Sequence, residues 1–448
     1  MGRFLPMNLI PRGYRWRILA LLFFITTVNY IDRQVISFTV IDEKFQRDMM
    51  DIPEGVPISP QDQQAFNAAK GSIDAAFKIA YGIGFVVVGW FIDQVGTRRG
   101  FASAITLWNI AAVGTGLISS LSMLLGMRFL LGLGESGNFP SSIKSVSEWF
   151  PKKERSFATG IFNAGTNVGV ILTALCIPWL ITHLGWQSSF IITGTIGFVL
   201  LIFWLRTYKK PEDHPNIAPE ELDYIHSDQE EAVDEKGGRV SWGRLFRYPQ
   251  TWAFALGKFF TDCVWFLFLF WLPSFFTEND TLDQKLDLQS VGLPFIIIYL
   301  VSDVGSIFYG WLSSRLIKQG WSVNRARKTT MLICGLTVVP VFFASTIHSL
   351  VIAIMLIAIA TAAHQGFSAN LYSIVGDMFP KRAVASVVGI GGLAGAISGA
   401  LLTLYTGYIV NAVGYLPIFI YASSAYLLAL GIIHRLVPQL AGAKLIST

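Results

Sequence analysis

GWFIDQVGTRRG, residues 89–100, and GWLSSRLIKQGWSVNRARK, residues 310–328, decide how this chain is built. In each, a Gly-Trp pair lies near the end of a long apolar run, and a second glycine then opens a short basic stretch. One such unit repeated in both halves of a chain implies two copies of one bundle. The flanking apolar runs identify the solvent. They recur along almost the whole length at roughly 20 residues each, enough for a helix to cross a hydrocarbon core of about 30 Å. A transmembrane β-barrel would show short alternating segments instead. The composition agrees, with 53% hydrophobic and 14% charged residues and a mean hydropathy of +0.52. We therefore expect an all-α membrane protein of twelve transmembrane helices in two six-helix bundles.

The expected spans are 16–40, 72–94, 101–120, 121–146, 155–182, 186–206, 250–277, 288–316, 326–347, 349–378, 383–411 and 414–436. They divide the chain into an N-terminal bundle over 1–206, a polar, acidic linker over 207–249 containing PEDHPN and SDQEEAVDEKGG, and a C-terminal bundle over 250–448. The first run follows a basic stretch but carries Asn29, Asp32 and Arg33 and no A-x-A cleavage site, so it reads as a retained helix. With both termini cytoplasmic, Arg12, Arg15, Arg17, Arg98, Arg99, Lys152, Lys153, Arg155, Lys209, Lys210, Arg315, Lys318, Arg325, Arg327, Lys328, Lys381 and Arg382 fall inside. The opposite loops hold only Lys44, Arg47, Lys70 and Lys285, which is the positive-inside bias. That bias explains the net charge of +5 better than nucleic-acid binding does, because the basic residues form no single face. The loop 42–71, with Pro53, Pro57 and Pro60, is expected on the outer side as a cap or a mobile connection.

Asp32, Arg33, Lys78, Arg128, Glu135, Lys144, Lys258, Asp262 and Asp303 fall inside expected spans. An ionisable group near the bilayer centre costs a few kcal/mol on insertion scales and needs a partner or a wet cavity. Arg128 and Glu135 sit seven residues apart in RFLLGLGESGNFP, which places them on one helix face about 10 Å apart along the axis. A substrate or another helix must satisfy them, and Asp32 with Arg33 in NYIDR are the counterparts the sequence offers. A guanidinium grips a carboxylate with two parallel hydrogen bonds, and a partly desolvated Asp or Glu can hold a proton near the working pH. The four together suit a proton-coupled anion site. The competing reading is a purely structural salt-bridge network. Lys144 and Lys258 read as structural lysines that snorkel to the cytoplasmic side. Lys78 has Asp74 one turn away, and Asp262 and Asp303 divide between helix packing and coupling.

Uncharged polar residues cluster where a cavity would be lined: Tyr30, Tyr81, Asn163, Thr166 and Asn167, with His364, Gln365, Ser368 and Asn370 in the second half. Such groups suit a polyhydroxylated ligand, although Asn, Gln, Ser and Thr also join helices in membranes. GIGGLAGAISGA from Gly389 reads as close helix contact, not as a phosphate loop. Cys176, Cys263 and Cys334 lie in different runs and read as small core residues. No metalloprotease, P-loop or nucleophile-elbow motif appears in the right context, and the six histidines are scattered, so we expect no enzyme, cofactor or metal.

GWFIDQVGTRRG resembles the loop signature between the second and third helices of the major facilitator superfamily, with Gln94 where the pattern usually has arginine. The resemblance implies that Gly89, Asp93, Gly96, Arg98 and Arg99 form a motif that stabilises one conformation of the transport cycle. NYIDR, RFLLGLGESGNFP, EWFPKKERSFATGIFNAGTNVG and AAHQGFSANLYSIVGDMFPKR are similar to the anion:cation symporter family, and lean towards its hexuronate branch. This resemblance implies that Arg33 and Arg128 contact a substrate carboxylate, Asp32 and Glu135 carry protons, and Tyr30 and Tyr81 line the site. Thr166 stands where the galactonate branch carries glutamine, which argues against galactonate. The expectation is a monomeric, multi-pass bacterial inner-membrane symporter for glucuronate or galacturonate. An aldonate, glucarate or an aromatic acid is the alternative substrate, and a non-transporting sensor the alternative class.

Overall fold

The computed structural model describes residues 13–228, 242–278, 281–284 and 292–443. Arg12 and Lys285 of the charge argument, and residues 229–241 of the expected linker, lie outside the described residues. The first half contains α1 (Tyr14–Thr39), α2 (Glu43–Met50), α3 (Pro60–Val95), α4 (Thr97–Thr115), α5 (Leu121–Glu135), α6 (Asn138–Trp149), α7 (Lys152–Leu184) and α8 (Trp186–Thr207). Between the halves lie α9 (Pro219–His226) and α10 (Trp242–Leu245). The second half contains α11 (Pro249–Glu278), α12 (Gly292–Lys318), α13 (Val323–Val338), α14 (Leu350–Met378), α15 (Val384–Val413) and α16 (Leu416–Leu436). Among the described residues, nine helices are long and apolar enough to cross a membrane. The other three expected spans are α4, the interrupted pair α5–α6, and α11.

The structure departs from the sequence expectation at three places. The second span begins at Pro60 instead of residue 72, because Ser59 and Asp62 form a reciprocal capping box with Pro60 in the first turn. The fourth span breaks at Ser136–Gly137, where Pro140 has no N–H to give the Ser136 carbonyl and Ser136 Oγ donates to the Leu133 carbonyl at 2.6 Å. The loop after α1 is partly helical: Phe45 and Met49 of α2 are buried, and Phe45 packs edge-on to Trp186 at 4.9 Å. The polar linker is also built into the first bundle. Glu221 of α9 pairs with Arg15 at 3.1 Å, and Asp228 accepts from the Lys152 and Lys153 amides at the start of α7 at 2.9 and 3.0 Å.

The sequence repeat is visible as geometry. Gly96 and Gly320 both take positive φ, +87° and +96°, at the turn that follows each GW helix. Gly89 and Gly310 are matching points of close approach between the bundles. A Cβ on Gly89 would meet the Ala385 carbonyl of α15 at 2.7 Å, and one on Gly310 would collide with the Ser156 carbonyl of α7. Without water to drive association, helices in a bilayer gain from this close backbone packing of small residues. We call the face bearing the residue-13 end, the linker and these contacts the basic face; it is closed. Gly389→Val puts a side chain into the Phe85 carbonyl and is expected to hold that face open. In a background lacking the native cysteines, a cysteine at Ser386 should then label several-fold faster with an impermeant thiol reagent. An unchanged rate would contradict this packing account.

Candidate functional site

The break after α5 places Glu135 at the centre of the first bundle, fully buried. Glu135 Oε2 accepts from Arg33 Nε at 2.7 Å, while its Oε1 has no hydrogen-bond partner. Arg33 is packed by aromatic rings, with Tyr30 at 4.4 Å and Tyr81 at 4.6 Å from the guanidinium carbon to the ring centroid. Phe77, which sequence reasoning did not single out, lies against both guanidiniums, 5.3 Å from Arg33 and 4.7 Å from Arg128. Its spacing of four residues from Tyr81 on one helix face was the available signal. Arg128 is only 2% exposed, and its Nε and Nη1 have no partner.

Asp32, the fourth of these charges, is 1% exposed. It shares the face of α1 that carries Ile25 and Val28, which line a small apolar cavity together with Trp108 of α4 and Gly197 of α8. Both carboxylate oxygens are buried without a hydrogen bond, and among the described residues no ion pair joins Asp32 to Arg33 or Arg128. The spacing of 25, 28 and 32 gives this placement, since positions three and four apart share a helix face.

An aromatic layer separates these charges from the basic face. Tyr81 meets Phe85 edge-on at 4.6 Å, Phe139 stacks on Tyr372 of the second bundle at 5.3 Å, and Phe254 lies 5.7 Å from Tyr372. Lys258 pairs with Asp262 at 2.7 Å and sits 4.4 Å from the Tyr372 ring. The lysine therefore faces the centre of the molecule instead of snorkelling. Such aromatic pairs contribute about 0.5–1.5 kcal/mol each beyond burial.

The polar candidates divide by depth. Asn163 donates to Gln365 at 2.6 Å and to Ser306 at 3.3 Å, and Asn167 donates to Asp303 at 2.7 Å, so all three bonds bridge the bundles. Thr166 and Ser368 are buried beside them in sequence. His364 is turned into the second bundle, stacked on Trp265 at 4.9 Å and bonded to the Tyr426 hydroxyl at 2.7 Å. Asn370 accepts from Ser156 at 3.0 Å and donates to Gly366 at 2.9 Å, so it is engaged in helix packing.

The basic face closes through two buried charge clusters. Asp93 pairs with Lys144 at 2.6 Å and accepts from the Ser386 amide at 2.7 Å and the Ala385 amide at 3.3 Å. A carboxylate at the start of α15 is favoured by the helix dipole. Lys144, read from sequence as snorkelling, is thus Asp93's cation. Arg98 bonds the Leu205 carbonyl inside its own bundle, and Arg99 is exposed. On the other seam, Asp377 joins Arg155 of the first bundle at 3.1 Å to Arg327 of the second at 3.0 Å. Neither Asp377 nor its bridging role was singled out from the sequence.

Two bundles in tight contact at one face, with buried charges between them, form an architecture that can be compared with known proteins. A sequence profile of the Major Facilitator Superfamily matches residues 22–403. The chain belongs to that superfamily. This facilitator is 29% identical over 411 residues to the hexuronate transporter of Escherichia coli K12, covering 91% of this chain and 90% of the relative. It is 32% identical over 315 residues to the galacturonate transporter of Dickeya chrysanthemi (70% and 85%) and 27% identical over 450 residues to a D-galactonate transporter of Escherichia coli O6:H1 (96% and 99%). Its fold is that of a proton:xylose symporter bound to 6-bromo-6-deoxy-D-glucose, with a TM-score of 0.71 at 16% identity over 96% of this chain and 98% of the other. The fucose:proton symporter of E. coli matches with a TM-score of 0.70 at 13% identity, over 95% and 99%. The facilitator is a multi-pass membrane protein, and the relatives named here are all transporters.

Proposed function

We propose that this facilitator is a proton-coupled symporter for a sugar-acid monoanion, with glucuronate or galacturonate as its substrate. The observation that carries the reading is Arg128, a buried guanidinium with free donors beside the Arg33–Glu135 pair. A buried charge without a full set of partners is costly, and an incoming carboxylate supplies them bidentately. The relatives named for hexuronate and galacturonate support the substrate class. The D-galactonate relative, matched over more of the chain, favours an aldonate as the second reading.

The mechanism follows from the pairing. With the basic face closed, protonation of Glu135 releases Arg33, and both guanidiniums become available to the substrate carboxylate. Asp32 takes up a second proton inside the first bundle. Tyr30, Tyr81 and the polar groups of α7 and α14 meet the hydroxyls. Separation of Asp93 from α15, and of Arg155 from Asp377, then opens the basic face, which we place in the cytoplasm of a bacterial inner membrane. Deprotonation there returns Glu135 to Arg33, and the carboxylate displaces the substrate anion. Competition by glucuronate, galacturonate, galactonate and glucarate against labelled glucuronate tests the substrate assignment. Strongest competition by the two hexuronates is expected, and exclusive competition by galactonate would replace them with the aldonate.

A further inference from the structure

We infer that Asp303 selects the substrate by reading its hydroxyl end and rejecting a second carboxylate there. The inference rests on the sugar-acid reading above and extends it to a residue outside the Arg33, Arg128 and Glu135 cluster.

Asp303 occupies a defined rung of the seam between α7 and α12. From the basic face inward, Gly310 touches Ser156, Ser306 touches Gly160, Asn163 reaches Ser306, and Asn167 reaches Asp303. Asp303–Asn167 is the innermost of these cross-bundle bonds. The same stretch of α7 is level with the charge cluster, because α1 comes so close at Gly169 that a Cβ there would lie 2.5 Å from the Thr27 carbonyl and 2.8 Å from Tyr30 Cβ. Tyr30 is in turn the ring against Arg33. Asp303 therefore lies across the centre from the guanidiniums, on the opposite bundle.

Asp303 is 7% exposed; Asn167 occupies Oδ1, and Oδ2 has no hydrogen-bond partner. A buried carboxylate oxygen without a donor is costly unless a ligand supplies one. The Asn167 amide fixes the orientation of the carboxylate and leaves Oδ2 as an acceptor. Hydroxyls of a sugar acid are donors and satisfy it. A carboxylate at the same place has no proton to give and is repelled by like charge. The arrangement thus has two poles, with guanidiniums that take the substrate carboxylate and a carboxylate that takes the polyol. It favours a monoacid, oriented one way, over a diacid. Rejection by unpaired or repelled groups is a general route to specificity.

Asp303→Asn keeps the size of the side chain and removes its charge. Binding of glucuronate, glucarate and hexanoate should be measured on the purified, full-length proteins, with melting temperature as the folding control. The wild type is expected to prefer glucuronate over glucarate by at least tenfold. In Asp303→Asn, glucuronate should weaken about tenfold while glucarate is unchanged or tighter, and hexanoate, which has no hydroxyls to read, should keep its affinity. If the variant does not fold, Asn167→Ala, which loosens the same carboxylate, is expected to narrow the glucuronate-to-glucarate ratio less strongly. An unchanged ratio overturns the assignment. So does intact selectivity with lost gradient-driven accumulation, which would make Asp303 a coupling group. Failure of the wild type to bind either sugar acid would instead overturn the proposed function, and this inference with it.

Discussion

Glu135→Gln is expected to abolish gradient-driven accumulation of substrate while leaving exchange across the membrane intact. Glu135 is fully buried, and its one hydrogen bond is the charge-assisted contact with Arg33 at 2.7 Å. Coupling requires that a single group respond to both proton and substrate. In the proposed mechanism both act on Arg33, because the protonated side chain would release the guanidinium and the ionised one would compete with the anion for it. Glutamine fixes the released condition. Substrate binding should therefore persist and lose its pH dependence, while the accumulation ratio falls by an order of magnitude or more towards equilibrium. The two halves of the expectation are separable by counterflow at equal pH and by uptake under a pH gradient. Accumulation with normal pH dependence would remove Glu135 from the coupling mechanism.

Arg128 variants should separate binding from stability in opposite directions. Its Nε and Nη1 have no hydrogen-bond partner at 2% exposure, and the Phe77 ring centroid lies 4.7 Å from its guanidinium carbon. Arg128→Lys replaces a planar fork by a point charge and loses one of two charge-assisted hydrogen bonds, each worth about 1.5–3 kcal/mol. Affinity for the carboxylate should fall roughly tenfold to a hundredfold on that basis. Arg128→Met removes the interaction entirely and is expected to abolish binding. The same change removes a buried, incompletely paired charge, so the empty protein should melt at a higher temperature. Normal affinity in Arg128→Lys would show that this guanidinium does not hold the carboxylate. A lower melting temperature in Arg128→Met would show that the arginine is structural.

The twelve spans were legible because hydropathy acts locally and the bilayer tolerates few alternatives to a helix. Where they were misread, a local polar device prevailed over hydropathy. The capping box at Ser59 and Asp62 starts α3 within a run of glutamines, and Pro140 interrupts the fourth span next to Glu135. The buried charges that form the candidate site were legible for the same reason that makes them costly in a membrane. Their partners were not, since pairing depends on which helix faces meet. Arg33 found Glu135, Asp32 made no ion pair among the described residues, and Lys144 took Asp93. His364 looked like a cavity residue in the sequence but turns towards Trp265 and Tyr426, where its ring is both stacked and hydrogen-bonded. The repeat was legible as glycine and basic residues, and the structure shows its use: Gly89 and Gly310 are two of the places where one bundle's backbone touches the other's.

Proton-driven transport of a hexuronate would show itself in uptake of radiolabelled glucuronate and galacturonate into proteoliposomes under an imposed inward proton gradient. Accumulation above the external concentration, abolished by a protonophore, is expected. Uptake that only equilibrates, and that a protonophore leaves unchanged, would contradict it.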